Sequence, residues 1–210
     1  MARSNSRARS YVPFKWTKEL IIFLSVLAVA IILTIICLIP TSEEKFMTEW
    51  SNAITAASGT ALEEDHVFKY ISLSNLEKEK EKATAESPLI ILYGSPDDST
   101  TASNISSINT KAKQYEVEKI YIFNCDFVLK ADDTDSKDKA KLEDYKEALG
   151  FEEVEDLNTY CQLLVYTGNS QPEFSSKEII EDKNNADADF AKAMTKCFST
   201  YSPKALALKK

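Results

Sequence analysis

The chain has 210 residues, with 25 basic and 33 acidic side chains, a formal charge of −8 at neutral pH and 44% hydrophobic residues. Five of the basic residues but only one acidic residue, Glu19, fall in the first 40 positions, so the remainder carries −12, which excludes nucleic acid and anionic lipid surfaces as its partners. Four widely spaced cysteines, one of them (Cys37) inside an apolar run, exclude a disulfide-dense scaffold, and the only histidine, His66, stands at no metal-ligand spacing from a cysteine.

Residues 1–19 are basic and Ser-rich without apolar period, and read as an unstructured cytoplasmic tail. From Leu20 to Ile39 there is no ionisable carboxylate or amine, and fifteen of the twenty residues are Leu, Ile, Val or Phe. At ~1.5 Å per residue this run reaches the ~30 Å of a bilayer core. Crediting each of those side chains with roughly −0.3 to −0.6 kcal/mol gives about −4 to −9 kcal/mol for insertion. Residues 20–40 are therefore expected to form one transmembrane helix in contact with the lipid bilayer. A secretory signal has an apolar core of only ~7–15 residues and a small-x-small cleavage site. The segment Leu38 to Glu44 offers no such site, so the helix reads as an uncleaved signal anchor. Arg3, Arg7, Arg9, Lys15 and Lys18 precede it, while Glu43, Glu44 and Lys45 follow it. The positive-inside bias then leaves the N-terminus in the cytoplasm and puts the C-terminal bulk outside, on a single-pass protein of the cell membrane.

Within residues 41–60, Phe46, Trp50, Ile54 and Ala57 recur at helical spacing, predicting a juxtamembrane helix that lifts the following domain off the bilayer or packs on it, and that ends at Ser58-Gly59-Thr60. Residues 61–205 read as one folded domain. Val67–Ile71 is a short strand, and Ser74 is the expected N-cap of a charged helix Leu76–Ala85. Leu89–Tyr93 is apolar at every position, as a central strand covered on both faces should be. The turn Gly94–Ser99 leads into a helix reaching Tyr115, and Lys119–Cys125 is a second buried strand. An Asp- and Lys-rich insertion over Lys130–Lys139 precedes a helix Ala140–Leu149 stopped by Gly150. Gln162–Tyr166 is a third buried strand, followed by the turn Thr167–Ser170 and a stretch with Phe174, Ile179 and Ile180 that supplies the last strand. The helix Ala186–Tyr201 closes the domain with Phe190, Met194, Cys197, Phe198 and Tyr201 on one face.

Buried strands joined through a helix pair in parallel, whereas a tight turn implies an antiparallel partner. The predicted α/β architecture, a mixed sheet with helices on both faces, resembles the thioredoxin-like fold over about Val67 to Tyr201. In that family the first buried strand ends in a loop carrying C-x-x-C at the N-terminus of the next helix, where helix dipole and N–H groups stabilise a thiolate. The matching segment here is Tyr93-Gly94-Ser95-Pro96-Asp97-Asp98-Ser99-Thr100-Thr101. One register puts Asp98 and Thr101 where the two thiols belong, the other Asp97 and Thr100, and neither supplies sulfur. The resemblance is thus to a degenerate member without a dithiol. The family's cis-proline before the third buried strand is also missing, its place falling near Cys161 in Asn158-Thr159-Tyr160-Cys161-Gln162.

The binding rim implied by the resemblance comprises Tyr93, Gly94, Ser95, Pro96, Asp97, Asp98 and Thr101, with Tyr160 and Cys161. No cofactor, metal or established catalytic residue is expected. The weak chemical candidates are Cys161 as a lone thiol and Cys125 as its resolving partner, with one strand between them at a separation of ~9–10 Å. Cys197 is expected to fill the core. Asp132 to Asp138 lacks the Gly and terminal Glu of a calcium loop, His66 reads as structural, and Asn104-Ile105-Ser106 matches a glycosylation sequon. Relatives of this layout assist export, maturation or disulfide handling in low-GC Gram-positive bacteria. The resemblance therefore implies a non-catalytic, membrane-tethered domain that binds a protein partner in the membrane or cell envelope. The alternatives are a monothiol redox protein using Cys161 and a scaffold subunit of a membrane complex.

Overall fold

A computed structural model describes residues 17–38, 42–57, 59–132, 134–158, 161–179 and 186–208, with backbone alone for residues 21, 32–38, 42, 43, 186 and 187. Residues 1–16 of the expected tail, Pro40, Ser58, Asp133, Thr159, Tyr160 and Ile180 lie outside the described residues, whereas Lys18 and Glu19 at the end of that tail already belong to a helix. The chain divides into two units between Lys45 and Phe46.

In the first unit, Thr17 Oγ1 accepts the Leu20 N–H at 3.3 Å at the start of α1 (Lys18–Leu38), a helix of 21 residues. Its described side chains from Ile22 to Ile31 are all exposed, Phe23 at 63% and Val26 at 64%. Among the described residues no helix is long and apolar enough to cross a membrane, and the side chains of α1 beyond Ile31 lie outside that statement.

The helix α2 (Ser42–Ala56) carries the unit boundary, and from Phe46 onward it belongs to the folded domain. Phe46, Trp50 and Ile54 are one turn apart and all buried, in one cluster with Phe68 and Ile105. This segment therefore packs into the domain from Phe46 onward. The Trp50 indole N–H donates to the Tyr70 hydroxyl at 2.9 Å, which in turn donates to the Glu49 carboxylate at 2.8 Å. The His66 ring lies tilted against Phe46 with centroids 4.5 Å apart, and its Nδ1 accepts the Phe68 N–H, which is a structural role.

The domain is mixed α/β. Strands β1 (Phe68–Tyr70), β2 (Leu89–Gly94), β3 (Ile120–Asn124), β4 (Gln162–Tyr166) and β5 (Phe174–Ser175) form one sheet in the order β1-β3-β2-β4-β5. The first three strands run parallel, β4 is antiparallel to β2, and β5 to β4. In the register of the centre, Leu92 lies between Ile122 and Leu163. All six residues of β2 are buried because alternate side chains enter two separate cores. Ile90 and Leu92 face the core closed by α2, α4 (Ser99–Gln114) and α7 (Ala186–Tyr201). Leu89, Ile91 and Tyr93 face the core closed by α3 (Leu73–Lys82), α5 (Asp126–Lys130) and α6 (Ser136–Leu149). Burying each such side chain contributes about 1.5–3 kcal/mol, so the continuous apolar run stabilises both layers at once.

Several expected boundaries move. The first charged helix begins at Leu73 with Ser72, not Ser74, as its N-cap, and ends at Lys82. The Asp- and Lys-rich insertion is flanked and partly covered by helices: α5 occupies 126–130, and α6 begins at Ser136, where the Asp135 carboxylate accepts the Lys137 N–H at 2.7 Å. Asp132 likewise accepts from Thr134, so these acids cap turns, and among the described residues no cluster of His, Cys, Asp or Glu could hold a metal. Gly150 ends α6 at φ +67, and a Cβ there would stand 2.5 Å from the Ser170 carbonyl oxygen. Two short 3-10 turns, Val154–Asn158 and Ser176–Glu178, and a terminal helix α8 (Pro203–Ala207) complete the described elements.

One buried cation ties three of these elements together. Lys80 of α3 is 7% exposed, and its ammonium donates to the Ala148 carbonyl of α6 at 2.8 Å and to the Ser170 carbonyl of the β4–β5 turn at 2.5 Å. It also sits 4.6 Å from the centre of the Tyr166 ring. The unsatisfied carbonyls at a helix C-terminus attract such a charge. Burial nevertheless pushes the Lys80 pKa below its ordinary value, against the smaller pull of Glu77.

Candidate functional site

Strands β2 and β3 are parallel and end side by side, Gly94 opposite Asn124, so the loops that follow them lie at one edge of the sheet. There Gly94 is required by close approach, since a Cβ would stand 2.6 Å from the Thr101 side chain. The chain then turns, with the Asp98 N–H donating to the Ser95 carbonyl at 3.2 Å, and enters α4. Asp98 is the N-cap of that helix: its Oδ2 accepts the Thr101 N–H at 2.7 Å and the Thr101 hydroxyl at 2.5 Å. Of the two registers considered for the missing dithiol, the one naming Asp98 and Thr101 marks a pair in direct contact. A capping carboxylate already occupies the place where a thiolate or an anionic ligand would use these N–H groups.

The loop after β3 supports this turn. Ser95 is fully buried; its hydroxyl donates to the Asp126 carboxylate and accepts the Asp97 N–H at 2.9 Å. Asn124 orients Asp126 by donating from Nδ2 at 2.9 Å and accepting the Asp126 N–H at 2.7 Å. The Cys125 N–H donates to the Gly94 carbonyl at 3.2 Å. Pro96 is buried, whereas Asp97 is exposed and pairs with Lys130 at 2.7 Å. Asp126, Asn124 and Lys130 are thus partners of the rim that sequence reasoning missed; they lie about thirty positions from Ser95 and Asp97, and no spacing rule connects them.

The other half of the expected rim sits where β4 begins. Gln162 is paired with Tyr93 across the β2–β4 ladder, which puts Cys161 beside the same edge. Tyr93 itself is buried, its hydroxyl donating to the Leu157 carbonyl at 2.7 Å, so it supports the rim from beneath and presents no surface. Cys161 is 1% exposed and holds φ +57, a left-handed conformation uncommon outside glycine. Tyr160, the remaining rim candidate, is among the residues not described.

Cys125, Cys161 and Cys197 are all buried. Burial first, and then the neighbouring Asp98 and Asp126 carboxylates, push the Cys125 thiol far up from its ordinary range. Burial alone pushes Cys197 up to about 12. Nucleophilic sulfur chemistry needs the thiolate and access to it, and neither environment supplies these. Cys197 lies in the core cluster on α7 with Phe198 and Met194. In the sequon, Asn104 Nδ2 donates to the Thr100 carbonyl within α4, and the Ser106 hydroxyl donates to the Thr60 carbonyl.

The arrangement can therefore present an acidic loop edge at the ends of β2 and β3, held by side-chain hydrogen bonds and without an exposed thiol among its described residues. Compared with protein-family models, with curated proteins and with solved structures, the chain gives no match.

Proposed function

We propose that this protein is a membrane-tethered, non-catalytic thioredoxin-like domain that binds a protein partner at the cell surface through the loop edge Gly94–Thr101. The observation that carries the reading is the Asp98–Thr101 pair, which fills with a capping carboxylate the helix N-terminus where a dithiol relative would hold its thiols. The strand order, with two parallel connections through helices followed by an antiparallel hairpin, supports the thioredoxin-like part. Asp97, Ser99 and Thr100 supply the exposed surface, while Ser95, Pro96 and Thr101 hold its shape from within.

Anchoring through residues 20–40 rests on the uninterrupted apolar sequence, on the helical backbone of α1 and on the exposure of Ile22, Phe23, Val26 and Val29. Leaving seven large apolar side chains of one helix in water forgoes on the order of 10 kcal/mol, which lipid would recover. The excess of basic residues before the apolar run supports an orientation with the domain outside the cytoplasm.

The test is to isolate the full chain from its membrane in mild detergent, identify the protein that accompanies it, and repeat with Asp97→Arg and Ser99→Arg combined. Both positions are exposed, and the Asp97–Lys130 pair is a surface pair contributing little to stability, so the fold survives the change. Loss of the partner with an unchanged circular dichroism spectrum supports the reading. Retention of the partner by the double variant refutes the rim as its docking site.

A further inference from the structure

The segment that joins α2 to β1 runs along α4 and is pinned to it at two places. The Ser106 hydroxyl donates to the Thr60 carbonyl, and the Lys113 ammonium donates to the Glu63 and Asp65 carboxylates at 2.9 and 3.2 Å. This segment and α4 together line a cavity of about 410 Å³, within the size range of small-molecule sites. Half-buried Leu62 and buried Met194 of α7 supply its apolar surface. The carboxamide of Asn109, a residue 1% exposed, lines it as well. Its Oδ1 accepts the Val67 N–H at 3.1 Å, which fixes which end of the group is Nδ2. That Nδ2 has no hydrogen-bond partner among the described residues, and none of their fully enclosed side-chain nitrogens or oxygens lacks one, so the Nδ2 group opens on the cavity.

An amide nitrogen only donates, so whatever meets Nδ2 must bring an acceptor. The neighbouring hydroxyls are committed, Ser106 to the Thr60 carbonyl and Thr110 to the Ser106 carbonyl at 3.0 Å. A water at this point finds one ready donor, short of the roughly two to four partners that hold a buried water. A carbonyl oxygen carried on an apolar body satisfies Nδ2 and covers Leu62 and Met194 at the same time. The charged residues of the lining, Glu63 and Lys111, are of opposite sign, and each is engaged: Glu63 with Lys113, and Lys111 over the Tyr115 ring at 5.7 Å. The lining therefore carries no net charge, which favours a neutral ligand over an anion or a cation.

We infer that this cavity is a binding site for a small neutral carbonyl compound, whose oxygen accepts from Asn109 Nδ2 while its apolar body lies against Leu62 and Met194. The site is separate from the loop edge Gly94–Thr101 and does not rest on the reading of that edge. The experiment uses the full chain in detergent micelles, labelled with nitrogen-15, and N-propylacetamide as the probe, with pentanoate as its anionic counterpart of equal size. N-propylacetamide shifts the Asn109 side-chain amide protons downfield, saturating with a Kd on the order of 10 mM, and pentanoate binds about tenfold more weakly. Thr110→Phe obstructs the cavity from an exposed position whose hydroxyl bonds only within its own helix; it weakens the probe about tenfold or more and leaves the thermal midpoint within about 2 °C. Asn109→Asp keeps the acceptor for the Val67 N–H but removes the donor, and weakens the probe about tenfold. Should Asn109→Asp fail to fold, the wild type against Thr110→Phe decides. No saturable shift of the Asn109 amide, equal affinity in Thr110→Phe, or tighter binding of pentanoate overturns the assignment.

Discussion

Replacing Lys80 by methionine keeps the apolar stem and removes only the ammonium, which isolates the contribution of its two carbonyl contacts. Hydrogen bonds from a charged group contribute about 1.5–3 kcal/mol each, and the contact with the Tyr166 ring adds about 0.5–1 kcal/mol. Against this stands a desolvation cost of several kcal/mol for a buried ion, so the expected net loss at pH 7 is about 2–3 kcal/mol. For a chain of this size that corresponds to a fall in Tm of roughly 5–10 °C by far-ultraviolet circular dichroism in a non-denaturing detergent. The pH dependence has a definite sign. The folded state lowers the Lys80 pKa below its ordinary 10.5, so between the two values the unfolded chain binds more protons. The advantage of the wild type over Lys80→Met therefore grows as pH rises through the lowered value towards 10.5, because the neutral amine still donates to both carbonyls without the cost of a buried charge. A Tm difference below about 2 °C at pH 7, or a difference that shrinks between pH 7 and 10, refutes the clamp as described.

Asp98→Ala removes the cap of α4 and lowers stability by about 1 kcal/mol, seen as a loss of roughly 2–4 °C in the same thermal measurement. Asp98→Cys with Thr101→Cys places two thiols ~5–6 Å apart on the first turn of α4, and mild oxidation closes an intramolecular disulfide detected as a loss of two hydrogens by mass spectrometry. Native Cys125 and Cys197 resist alkylation at pH 7 until the chain is unfolded; with the Cys197 thiol near 12, on the order of one molecule in 10⁵ carries its thiolate at that pH.

What the residues alone disclose follows from how each element is buried. The strands β2, β3 and β4 were legible because a central strand covered on both faces must be apolar at successive positions, as Leu89 to Tyr93 are. The helix α7 was legible because only one face is buried, leaving Phe190, Met194, Cys197 and Phe198 at helical spacing. The stretch 126–139 was not, because its acids act one by one as caps, and composition alone makes a capped helix start look like a solvated loop. The same limit applies at the rim. The Asp98–Thr101 contact is local and shows in the spacing, whereas the bonds of Asp126 to Ser95 and Lys130 to Asp97 depend on two loops brought together by parallel strands.

The central claim is that the loop edge at the ends of β2 and β3 is where a protein partner docks. The most direct measurement is a photo-crosslinking residue placed at exposed Ser99 of the full chain in cells that produce it, with the same group at exposed Lys139 on α6 as the comparison. One discrete adduct from position 99, absent from position 139, is the result the account predicts. The same adducts from both positions, or none from position 99, contradict it.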